Sequence, residues 1–181
     1  MSTQWKIDTS HSSAGFSVRH MLITKVHGRF ARWGGTLSFD EKDLARSRVA
    51  IEIDAASIDT NEEKRDAHLR SADFFDAENH PKISFTSKRI EKAGNGYRVT
   101  GDLTIRGTTR EVVADVELEG QGKDPWGNQR IAFAGKTQIN RTDFGLKWNQ
   151  ALEAGGVLVG EKVDIVVEVQ AIADAGSVAA E

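Results

Sequence analysis

Five histidines, at positions 11, 20, 27, 68 and 80, are the side chains most able to move a proton near neutral pH. Their neighbours give no His-x-Glu or His-x-His ligand spacing, and the chain has no cysteine. Thiolate metal sites, thiol nucleophiles and disulfides are therefore excluded, and no metal or other cofactor is expected. Asp143-Phe144-Gly145 matches the magnesium-binding tripeptide of kinases, but no glycine-rich loop or His-Arg-Asp segment accompanies it. No Gly-x-Ser-x-Gly elbow and no phosphate-binding loop occurs either. No catalytic residue is assigned, and the expectation is a binding protein rather than an enzyme.

Three polar residues are candidates for holding a ligand's head group: His20, Arg65 and Arg141. His20 continues the apolar face of Ala14, Phe16 and Val18, where an imidazole can donate to a buried polar group. A histidine bonded to a backbone carbonyl is the plainer alternative. Arg141, followed by Thr142 and Asp143, stands just past an alternating run. It either pins a loop, with Asp143 as partner, or anchors an anion. Arg65 lies in the charged stretch 64–71, which reads as a solvated helix face or, through Arg65 and Arg70, a phosphate contact.

The elements that must position these residues are strands. Val163, Ile165, Val167, Val169 and Ala171 alternate with Asp164, Val166, Glu168 and Gln170, as Ile131 to Ile139 alternate with their neighbours. A period of two gives each strand one dry and one wet face. About eight such runs occur, the number at which a closed antiparallel sheet can hold one small ligand. The expected strands span about 14–20, 26–40, 48–54, 83–90, 97–106, 110–119, 130–139 and 160–172. Gly34-Gly35 is expected to bulge or sharply bend the second. Residues 120–128 and 141–156 read as loops. Runs of about 10 to 14 residues imply a barrel on the order of 35 Å tall, and inward glycines at 101 and 135 imply free space inside it. The proposed lining is Phe16, Val18, Phe30, Phe39, Ile51, Ile53, Phe85, Leu103, Ile105, Phe133, Ile139 and Val167. One helix is expected, begun by a capping box at Thr60-Asn61-Glu62-Glu63.

The 181 residues suit one domain, expected over 1–172, with a small polar tail at 173–181 that frays. A net charge of −3 argues against nucleic acid as partner. No apolar run is long enough to span a membrane as a helix. The opening residues carry no signal-peptide pattern, so a cytoplasmic location is expected.

Specific strings add to the pattern. His11 to His20, then Val26-His27-Gly28-Arg29-Phe30, Ser57 to Thr60, Arg65 to Asp76, Pro81 to Ser87, Gly101 to Gly107 and Arg141 to Gly145 occur in that order. Together they resemble the YceI family over roughly residues 5–172. The resemblance implies an all-β fold: an extended, lipocalin-like, eight-stranded antiparallel barrel with a helix over one end. It also implies binding of a polyisoprenoid or similar long-chain lipid, such as an isoprenoid quinone, a prenyl diphosphate or a fatty-acid derivative, and a homodimer. Storage or transport of that lipid is the expected function. The alternatives are an enzyme acting on a lipid-like substrate and a dimeric scaffold with a filled barrel.

Overall fold

In the computed structural model, described over residues 2–176, the alternating runs become strands. They are β1 (Thr3–Ile7), β2 (Ser13–His20), β3 (Thr24–Phe30), β4 (Trp33–Phe39), β5 (Arg48–Asp54) and β6 (Ile58–Asp59). After helix α1 (Glu63–Arg70) come β7 (Lys82–Ala93), β8 (Gly96–Ile105), β9 (Thr108–Lys123), β10 (Gln129–Asn140) and β11 (Val159–Ala173).

All of them pair antiparallel, and the ring closes. β1 and β2 lie end to end along one edge of β11, with Ile7 opposite Ala171 and Ser13 opposite Glu168. β4 and β3 continue the sheet beside β1 and β2, and β5 and β6 continue it beside β4 and β3. Six short strands thus act as three bent ones and, with β7 to β11, make an eight-stranded barrel. The bends fall at the 3-10 turn Thr9–His11, at residues 31–32, and at the 3-10 turn Ala55–Ser57.

Three details differ from the sequence reading. The strand expected over 26–40 breaks at Ala31–Arg32, where the chain passes from one level of the barrel to the next. Gly34 and Gly35 sit inside β4 in regular register with β5. A Cβ on Gly35 would lie 2.2 Å from the Ala50 carbonyl oxygen, so close backbone approach, not a bulge, demands glycine there. The segment at 120–123, expected as loop, extends β9 and pairs with β10. Of the expected tail, Ala173 ends β11 and residues 177–181 lie outside the described residues.

One end of the barrel, the floor, is filled by aromatic rings: Phe39 meets Phe133 edge-on at 5.3 Å and Tyr97 at 5.7 Å. A cluster of Leu37, Ile131 and Ala171 packs there. Arg130 clamps the seam between first and last strands. Its Nη1 donates to Asp8 Oδ2 and Gln170 Oε1, both at 2.8 Å, and its Nε donates to Asp124 Oδ2 at 2.8 Å. The Ser10 hydroxyl, then Arg130 and His11, hold the Asp8 carboxyl well below the usual range; Arg130 does the same for Asp124. The opposite end is covered by α1, the stretch after it, and the segment following β10. There Ala55, Phe74, Ile83, Ile105, Phe144 and Leu146 form the larger core cluster.

Candidate functional site: an apolar bore

Between floor and lid lies a cavity of about 290 Å³, near the lower end of small-molecule pockets. Its wall comes from every composite strand. β2 supplies Phe16 and Val18, β3 Phe30, β4 Phe39, and β5 Ile51 and Ile53. Phe85 comes from β7, Leu103 and Ile105 from β8, Phe133 and Ile139 from β10, and Val167 from β11. All twelve residues proposed from alternation border the cavity. The sequence reading left out Val112, Ala114 and Val116 of β9, although the same alternation runs through that strand. It also left out the lid residues Leu69, Phe74, Phe75, Phe144 and Leu146, which follow no period because they come from a short helix and irregular backbone.

The inward glycines divide into two kinds. A Cβ on Gly101 would come within 2.8 Å of the Phe85 ring and 2.5 Å of the Thr86 carbonyl oxygen. That ring fills the place where a side chain would be, so Gly101 leaves no free space, contrary to expectation. Gly28 is covered by Phe16 in the same way. Gly135 does border the cavity, and a Cβ there would find Val116 Cγ2 at an ordinary 3.4 Å.

No carboxylate or imidazole side chain borders the bore among the described residues. The described residues also contain no cluster of three or more metal-ligating side chains. What the wall offers is shape and apolar surface.

Of the three head-group candidates, Arg141 alone reaches the bore. It is 5% exposed, and its guanidinium is gripped by main-chain carbonyls. Nε donates to Gly160 at 2.8 Å, Nη1 to Leu146 at 2.6 Å and Trp148 at 3.0 Å, and Nη2 to Val159 at 3.3 Å. The segment after β10 is thereby tied to the start of β11. Asp143, the expected partner, is exposed and takes no part. A guanidinium has five N–H donors, so one remains beyond these four bonds. Burial lowers the Arg141 pKa, and the Glu161 charge only partly opposes this. An arginine at the usual value near 12.5 stays charged through such a shift. A desolvated cation without a carboxylate partner thus sits at the lid end of an apolar bore.

His20 stands past the rim, opposite Val159, and does not join the wall. Arg65 is exposed and serves the lid instead. Its Nε donates to Thr60 Oγ1 and an Nη2 hydrogen to the Thr60 carbonyl, each at 2.7 Å. The Thr60 hydroxyl and N–H in turn donate to the buried carboxylate of Asp66. Thr60 is therefore not the helix cap. Glu62 is, its carboxylate accepting from the Arg65 N–H. α1 has only eight residues, with Asp66 its one buried residue. It is held to the barrel by these polar bonds, by Arg70 donating to the Ala56 carbonyl at 3.0 Å, and by the Leu69 side chain, which packs against the lid cluster.

Comparison with known proteins fits this geometry. The YceI-like domain model matches residues 5–171. Protein YceI of Escherichia coli O157:H7 is 35% identical over 174 residues, covering 95% of this chain and 88% of that protein. Among solved structures, Burkholderia cenocepacia BcnA superposes with a TM-score of 0.80 at 26% identity, covering 91% of this chain and 98% of that one. A polyisoprenoid binding domain from Saccharophagus degradans shares the fold, with a TM-score of 0.66 at 16% identity over 94% and 98% of the two chains.

Proposed function

This chain belongs to the YceI-like family, and from that premise we propose that it binds a long-chain isoprenoid or related lipid inside the barrel and carries or stores it. The observation that supports this reading best is the wall itself: aliphatic and aromatic side chains from all eight composite strands surround space left open beside Gly135. Burying a hydrocarbon there gains roughly 25 cal/mol per Å² of apolar surface. A few isoprene units would thus offset the ordering cost of binding. The same-fold domain from Saccharophagus degradans is described as polyisoprenoid binding. The unpaired charge of Arg141 favours a lipid whose head group is anionic or strongly polar, lying at the lid end. Such a lipid is held without covalent chemistry, so the protein acts as a binder and not as an enzyme. Mass spectrometry of an organic extract from freshly purified protein tests this. A stoichiometric long-chain lipid is expected. Protein that is empty, and that takes up no isoprenoid when incubated with it, would refute the reading.

A further inference from the structure

The hairpin joining β2 to β3 breaks two rules of hairpin construction. At its tip Met21 and Leu22 have φ of +54° and +61°, and Ile23 N–H donates to the His20 carbonyl at 3.2 Å. Positive φ at both central positions belongs to a turn that favours Asn-Gly, because a Cβ is strained there. Met and Leu stand there instead, and they do not earn the strain by packing. Leu22 is 63% exposed, Ile23 76% and Met21 44%. Val157, on the neighbouring loop against which Leu22 rests at Gly156, is exposed as well.

The second violation lies just below the tip. Arg19 and Lys25, both exposed, face each other across the β2–β3 ladder, where like charges repel. Residues 19–29 hold Arg19, Lys25 and Arg29, two histidines, and no carboxylate, although Arg29 is paired with Asp59 of β6 at 3.1 Å. Asp164 of β11, paired with Lys25 at 3.4 Å, is the acid that faces this pair.

An apolar tip above a basic collar fits one kind of surface, the interface of an anionic bilayer. The lipid interior takes the three side chains, and its phosphates relieve the Arg19–Lys25 repulsion. The placement also suits exchange of cargo. Val18 and Val159 border the bore, and His20 and Met21 follow directly at its rim, with Met21 N–H donating to the Leu158 carbonyl at 2.8 Å. Beside the tip the wall is incomplete, since β6 pairs only with Arg29 and Phe30 and leaves the outer edge of β3 from Thr24 to Gly28 without a strand partner. We infer that the β2–β3 hairpin docks the barrel onto anionic phospholipid bilayers, with lipid passing between bilayer and bore along this edge. The passage of cargo rests on the function proposed above; the docking does not.

Sedimentation with vesicles free of isoprenoid tests the docking. Vesicles of phosphatidylcholine with phosphatidylglycerol should bind the protein more tightly than phosphatidylcholine alone, by about fivefold for each basic residue engaged, and raised salt should remove the difference. The variant Met21→Asn/Leu22→Gly/Ile23→Thr should lose vesicle binding at least about tenfold while its melting temperature holds or rises, since its turn is unstrained. Three results would overturn the docking: no binding to either vesicle, undiminished binding by the variant, or a tip that is covered by a second copy, seen as a dimer the variant abolishes. Displacement of a fluorescent fatty acid from both proteins, without vesicles, reports bore occupancy separately. Bore binding without vesicle binding sinks the docking alone, and the converse sinks the lipid-binding reading alone.

Discussion

Replacing Gly135 by phenylalanine should strengthen the fold and weaken ligand binding, an opposite pair of effects that a filled barrel cannot produce. Gly135 has an ordinary strand conformation, opposite Val167 of β11 and Val116 of β9. A Cβ there meets Val116 Cγ2 at 3.4 Å and main-chain oxygens no nearer than 3.9 Å, so the side chain enters without backbone strain. The folded protein gains on two counts. Removing a strand glycine is worth roughly 0.5–1 kcal/mol, and burying a phenyl ring adds about 1.5–3 kcal/mol. A net gain of about 2–4 kcal/mol should raise the melting temperature of lipid-free protein by roughly 4–16 °C at this chain length. A ligand, in contrast, loses the room of about four methylene groups at about 0.8 kcal/mol each. That is near 3 kcal/mol, or an affinity loss of about 150-fold. Thermal melts of stripped protein and displacement of a fluorescent fatty acid measure the two sides. A lower melting temperature would mean the space beside Gly135 is already filled. Unchanged affinity would mean the chain of the lipid does not pass this strand.

Arg141→Met should weaken a prenyl diphosphate at least about tenfold more than a hydrocarbon of equal length, because Arg141 borders the bore and carries a buried charge with no carboxylate bonded to it; equal losses in a titration of both would leave Arg141 as a loop pin only. His20→Phe, outside the wall, should change neither affinity by more than about twofold on the same titration. Thr60→Ala deprives Asp66 of one donor and Arg65 of one acceptor, a cost of about 1–3 kcal/mol, so stopped-flow release of bound lipid should speed up. If hydrogen exchange shows residues 60–76 as protected as the strands, with or without lipid, the lid does not open. The acid limb of stability should depend on the floor clamp. Asp8 and Asp124 have lowered pKa values, so their contribution is full above the unfolded carboxylate value of about 3.9 and is lost as pH falls through their native values. Asp124→Asn should flatten the loss of stability below about pH 4 in denaturant titrations, and an unaltered slope would dismiss the clamp.

The wall of the barrel was legible from sequence because alternation states which side of a strand is dry, and a closed sheet has one inside. Phe16, Phe85 and Val167 could be assigned with no knowledge of their partners. What failed was information that alternation does not carry. Gly101 and Gly135 have the same parity, and only the cross-strand ring of Phe85 makes one filled and the other open. Thr60-Asn61-Glu62-Glu63 reads as a capping box, but a buried Asp66 draws the Thr60 hydroxyl away, and Glu62 takes over the cap. The role of Arg141 was half visible. A pin was foreseeable from its place after a strand, yet its partners are carbonyls of residues that share no motif.

The closure of the ring by β1 and β11 sets the order in which the protein can be made. Trp5 lies opposite Ala173, so β1 waits for β11. On the ribosome, β1 must remain without its β11 neighbour, and the bore stays unsealed, until residues beyond 173 have emerged from the exit tunnel. Joining sites so far apart in the chain is slow, and unpaired strand edges with greasy inner faces invite association with other chains meanwhile. Chaperone demand should therefore persist until β11 has emerged, and a truncation that removes β11 should aggregate even though β1 to β10 are present.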